Sequence, residues 1–203
     1  QARRAAEARV ARGAALARAA EEIEQLFLPR VVAFRRELGA DVVAYDGLRG
    51  LEERARETCD DLRRESQRLV QAATAEAERL NGMPLGLPER LDGVRDLLAL
   101  GGAASSDDEL DFEVRRAVRE WLTPLVDLTV EYRETTSEAA QTAFHSILGD
   151  LASAGRHVGL DVIAPARGAA YDPALHETID ALPGGLARIT RVEAPGYRVG
   201  GET

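Results

Sequence analysis

The chain has 203 residues, enough for one large domain or two small ones at about 150 residues per domain. Apolar residues make up 45% and charged residues 30%, a balance that excludes wholesale disorder and low-complexity fibres. The net charge of −9 counts against nucleic-acid binding, no apolar run approaches the about 20 residues of a membrane span, and the single cysteine, Cys59, rules out an internal disulfide.

All 26 basic residues are arginine, which points to a GC-rich bacterial genome, and the expected location is the cytoplasm. Alanine, arginine, glutamate and leucine dominate while aromatics make up 4%, the mixture of long helices. Leu16, Ile23, Phe27, Val31, Phe34 and Leu38 fall at three- and four-residue steps and predict an amphipathic helix over 14–38. Pro29 predicts a kink or break near Leu28, and Gly39 ends the segment. A second helix is expected over 47–80, with a thin seam of Leu48, Leu51, Ala55, Cys59, Leu62, Leu69, Ala73 and Leu80 suited to a single partner helix. Asn81-Gly82 closes it, and a short helix is expected over 88–100.

The small-residue stretch from Gly101 to Ser106 reads as a linker between a helical, coiled-coil region over 1–100 and a helical hairpin over 107–158. Ser106 with Glu109 forms a capping box, and Thr135 with Glu138 a second. Between them run Leu110, Val114, Val118, Trp121, Leu125, Leu128 and Tyr132, and after them Phe144, Ile147, Leu148, Leu151 and Val158. From Gly159 glycine and proline recur among short alternating runs such as Ala187 to Val192, which predicts a small β unit over 159–203. The fold class is therefore α+β, mainly α, and a β unit of that size must lean on the helices or on a partner. Ile23, Phe27, Phe34, Leu62, Leu69, Trp121, Leu125, Phe144 and Leu148 are the expected packing residues.

The three histidines, His145, His157 and His176, lack metal-ligand spacing, and the absence of lysine excludes a phosphate loop of the G-x-x-x-x-G-K-[ST] type. There is no G-x-S-x-G elbow. No catalytic centre, metal or cofactor is expected. The unusual stretch is Gly168-x-x-Tyr171-Asp172-Pro173-Ala174-Leu175-His176-Glu177, where Asp172-Pro173 starts a turn that His176 and Glu177 either pin by hydrogen bonds or offer to a partner.

This stretch resembles the signature of the GrpE family of nucleotide exchange factors, in which Gly-x-x-Phe-Asp-Pro is followed by His-Glu. Ala154 to Pro165, Gly196-Tyr197-Arg198-Val199-Gly200 and Leu122-Thr123-Pro124-Leu125-Val126-Asp127 are similar to neighbouring family motifs in the same order, so the resemblance covers about residues 110–203. It implies long paired helices leading to a helical bundle and a β-domain in a homodimer. It also implies a co-chaperone that binds the ATPase domain of a DnaK-type chaperone and promotes ADP release, with Asp172, Pro173, His176, Glu177 and Tyr197 facing that partner. The chain departs from the family in its breaks at Asn81 to Pro88 and Gly101 to Ser106, and in carrying Tyr171 for phenylalanine. The alternative is a helical scaffold without exchange activity that holds a partner through residues 1–100. Leu28-Pro29 to Arg36 is also similar to the family's Leu-Pro motif, but one proline-centred match does not make a repeat.

Overall fold

The computed structural model describes residues 2–81, 114–177 and 188–199. The expected helix over 88–100, the linker at Gly101 to Ser106 and the Ser106–Glu109 capping box lie outside the described residues, and the side chain of Leu80 lies outside them too.

Helix α1 (Ala2–Glu22) starts earlier than its apolar stripe and enters a π-helical turn, π1 (Ile23–Phe27), followed by α2 (Leu28–Glu37). The break expected at Pro29 is therefore a widened turn. The Leu28 N–H reaches the Ile23 carbonyl five residues back. Such a turn makes room for the ring of Pro29, which in a regular helix would press on the carbonyl four residues before it. Helix α3 (Val42–Asn81) begins before the expected position 47. Its start is set by Asp41, whose Oδ1 accepts the Ala44 N–H at 3.0 Å as an N-cap does. All the seam residues from Leu48 to Ala73 are buried. Helix α3 packs chiefly against α1 of the same chain and also against α2, so the seam meets more than the one partner helix expected.

The chain is helical again from Val114, passes through a second π turn, π2 (Val118–Leu122), and continues as α4 (Thr123–Thr135) with Pro124 in its first turn. Helix α5 (Glu138–Arg156) returns antiparallel to it, as the short connection requires. The capping box expected at Thr135 and Glu138 is not formed. Thr135 belongs to α4 and donates its hydroxyl to the Glu131 carbonyl at 3.0 Å, while Ser137 is the residue at the α5 N-cap.

One apolar core draws on residues 2–81 and 114–160 alike, from Leu16, Ile23, Phe27, Leu48, Leu62 and Leu69 to Leu125, Phe144, Leu148 and Leu160. Phe34 and Trp121 are half-buried against it. Gly159, at φ 74°, turns the chain out of α5 into strand β1 (Leu160–Ile163). Strand β2 (Gly196–Val199) pairs with it antiparallel, Leu160 opposite Val199 and Ile163 opposite Gly196. Of the alternating run expected over 187–192, residue 187 lies outside the described residues, Arg188 forms a bridge with Ala170, and Ile189 exchanges backbone hydrogen bonds with Gly168 and Ala169. The class is α+β, mainly α.

No described helix is long and apolar enough to cross a membrane.

Candidate functional site

The β unit is too small to hold itself and is tied to the bundle through several of its described residues. Val158 and Leu160 enter the core. The guanidinium of Arg133, itself buried, donates to the Ala164 carbonyl at 3.2 Å. The Tyr197 hydroxyl donates to Asp127 at 2.5 Å and lies 3.3 Å from the Thr123 carbonyl. Burial, and then the bond to the Asp127 carboxylate, push the Tyr197 phenol far above its ordinary pKa.

On this support stands a compact turn over 171–177. The Asp172 carbonyl accepts the N–H groups of Leu175 at 3.0 Å and His176 at 2.8 Å, and its Oδ1 accepts the Ala174 N–H at 2.9 Å. Pro173, which has no N–H to satisfy, fits between them. The His176 ring closes the turn, because its Nδ1 accepts the Asp172 N–H at 2.9 Å. The proton of the neutral imidazole therefore sits on Nε2. The Tyr171 hydroxyl donates to the His176 carbonyl at 2.8 Å, and the two rings lie 5.8 Å apart. Leu175 and Glu177 are exposed beyond this frame.

The turn thus brings together Asp172, Pro173, His176 and Glu177. Among the described residues no hydrogen bond joins Tyr197 to them, and its hydroxyl faces the bundle. Within the turn His176 performs the pinning role, while Asp172, Pro173, Ala174, Leu175 and Glu177 are exposed, and the Glu177 carboxylate takes no part in the bracing bonds. The strand-like run expected after Glu177 as far as Pro183 to Gly185 lies outside the described residues. Leu175 was passed over in the sequence, where a lone leucine in a turn carries no periodic signal.

The remaining histidines have other surroundings. His145 is exposed on α5, and His157 meets the Glu22 carboxylate at 2.5 Å, beside Ser153, which donates to the same carboxylate. Among the described residues no three His, Cys, Asp or Glu side chains are placed to hold a metal ion. Chemically the arrangement offers a hydrogen-bonded turn with the Asp172 and Glu177 carboxylates and the apolar Pro173 and Leu175 exposed, suited to contact. Neither a family model, nor a curated protein, nor a solved structure matches the chain.

Proposed function

We propose that the chain is a GrpE-like nucleotide exchange factor, a co-chaperone that binds the ATPase domain of a DnaK-type chaperone through the turn at Asp172 to Glu177 and promotes ADP release. The observation that carries the reading is the self-braced turn whose residues match the family signature in order, standing on a β unit fixed to a helical bundle. Exchange needs no chemistry from the factor. It needs tighter binding to the open chaperone than to the closed one, since equal affinity for both would shift nothing. A hydrogen-bonded turn suits that task, because its shape is set before binding and little ordering entropy is lost on contact.

The test is release of a fluorescent ADP analogue from the DnaK-type chaperone of the same genome, followed by stopped flow. The unmutated protein accelerates release. Glu177→Ala removes an exposed carboxylate that the turn does not use, so stimulation falls by about tenfold while the melting curve stays in place, as for a lost charged interfacial contact. His176→Ala lowers stimulation and loosens the β unit together, because Asp172 loses the acceptor for its N–H. An unmutated protein that leaves ADP release unchanged overturns the reading.

A second reading is favoured by the start of α3, where Val42 is 71% exposed and Val43 50% exposed, beside Tyr45. On it, residues 1–100 hold a different partner and the protein is a scaffold. Capture of a partner that is lost on Val42→Ser with Val43→Ser, with ADP release unaffected throughout, is its signature.

A further inference from the structure

The helical segments 2–81 and 114–156 share a sequence of features that sequence identity conceals. Each runs as a helix into a five-residue π turn, then a proline in the first turn of a short helix, then a tight connection and a long returning helix. Aligning Pro29 with Pro124 superposes π1 on π2. Buried Ile23, Phe27 and Val31 then fall on buried Val118, Leu122 and Val126, and exposed Glu24 and Gln25 on exposed Arg119 and Glu120. After one extra residue in the second connection, Asp41 falls on Ser137, each of them the N-cap residue of its long helix. In that register every buried position from Ala44 to Leu62 lands on a buried position from Ala140 to Val158, and the converse holds.

Amphipathic helices repeat their buried positions at this period in any case, so the seam alone proves little. π turns are rare, however, and two of them at equivalent places ahead of equivalent prolines are not a consequence of helix periodicity. The packing adds independent support because it is reciprocal. Helix α3 lies against π2 and α4, while α5 lies against π1 and α2. Equivalent positions of two related halves touch one another only close to the axis that relates them. Asp41 and Ser137 do so, the Ser137 hydroxyl donating to Asp41 Oδ2 at 2.6 Å.

We infer that the chain is an internal duplication, two helical hairpins related by a pseudo-twofold axis through the Asp41–Ser137 contact, and that one chain closes its own four-helix bundle and works as a monomer. The homodimer implied by the family resemblance is thereby replaced by a single chain in which 2–62 stands where a second subunit would. Among the described residues the β unit belongs to the second half, since α3 continues to Asn81 alongside α1 at the point where α5 gives way to β1. One molecule therefore presents one turn at Asp172 to Glu177, a stoichiometry that rests on the proposed function only for the identity of its partner.

Two measurements test the inference, neither of which involves a chaperone. Sedimentation velocity of the full chain across the micromolar range gives the mass of one chain, and the mass of two chains overturns the monomer. In the full chain with Cys59→Ala, the pair Asp41→Cys and Ser137→Cys brings two thiols to the axis, within reach of a disulfide if the side chains meet as described. Mild oxidation yields a species of single-chain mass that migrates faster without reductant. A disulfide-linked pair of chains, or two thiols that remain fully titratable after oxidation, overturns the axis.

Discussion

Gly47 and Gly149 both sit inside long helices, and their neighbours tell them apart. A Cβ on Gly47 would lie 2.6 to 2.9 Å from three ring atoms of Tyr132, whose ring stacks on Phe144 at 6.2 Å. A Cβ on Gly149 would meet nothing within 4 Å. Replacing glycine by alanine inside a helix gains about 1 kcal/mol in propensity, whereas overpacking a fitted site costs about 1–3 kcal/mol. Gly149→Ala is therefore expected to raise the midpoint of thermal unfolding by about 2–4 °C, the shift for 1 kcal/mol in a chain of this size. Gly47→Ala is expected to lower it, because the ring has α3 on one side and Phe144 on the other. Calorimetry of the two variants decides it, and shifts of the same sign would mean that Tyr132 turns aside at no cost.

At the scale of elements, a sheet of two four-residue strands has no independent stability and takes it from the helices. Tyr197 is the polar part of that support. Its folded-state pKa is raised, so its contribution is fully present below pH 10 and is lost as the pH climbs and the unfolded chain ionises first. Tyr197→Phe removes a hydrogen bond to a carboxylate, worth about 1.5–3 kcal/mol, and should speed proteolysis within 160–199 while helical circular dichroism is kept. Unchanged proteolysis would place the support in Leu160 and Arg133 alone. Much of this level was legible in the sequence. The seams gave the helices and the weak β unit announced that it must lean, because apolar spacing and surface-to-volume ratio are properties of the chain itself. Pro29 announced a disturbance but not its form, since a π turn depends on whether the carbonyl before the ring has room to move. The N-caps Asp41 and Ser137 were missed for a related reason: Asp41 is followed by exposed Val42 and Val43, which hide the start of the seam, and Ser137 competes with Thr135 for the same capping position. Of the turn at Asp172 to Glu177, the types and order were readable, whereas the division of labour between His176, which braces, and Glu177, which projects, is a matter of ring position that no spacing records.

For the whole molecule the informative residue is Cys59, which lies in the core shared by both halves, with its thiol 3.4 Å from the Ala20 carbonyl of α1. Burial pushes this thiol up to about 11, outweighing the nearby Arg63, so at pH 8 it is neutral as well as shielded. Its modification by a thiol reagent then requires α1 to separate from α3. If the two halves form one core, that separation is global unfolding, and labelling should proceed at the unfolding rate and be independent of protein concentration. Labelling much faster than unfolding would show α1 peeling away on its own. The same raised value makes the folded state the weaker acid, so the contribution of Cys59 to stability fades as the pH rises from about 9 towards 11.

The contact of Asp41 with Ser137 has a consequence for how such a molecule can change. Across an exact symmetry axis between identical subunits a residue meets its own copy, so an aspartate would face an aspartate and the two charges would repel. An ionised carboxylate, which only accepts, can meet a donor at that position only where the two halves are encoded separately. Here Asp41 caps α3 with one oxygen and receives the Ser137 hydroxyl with the other, and those two bonds hold its carboxyl below the usual carboxylate range. Each substitution in this chain also strikes once, where in a symmetric pair it would strike twice and double its cost. One half is thereby free to lose the features the other must keep. Buried Glu52, ion-paired with Arg35 and Arg56 where its counterpart is the apolar Leu148, is a trace of that freedom.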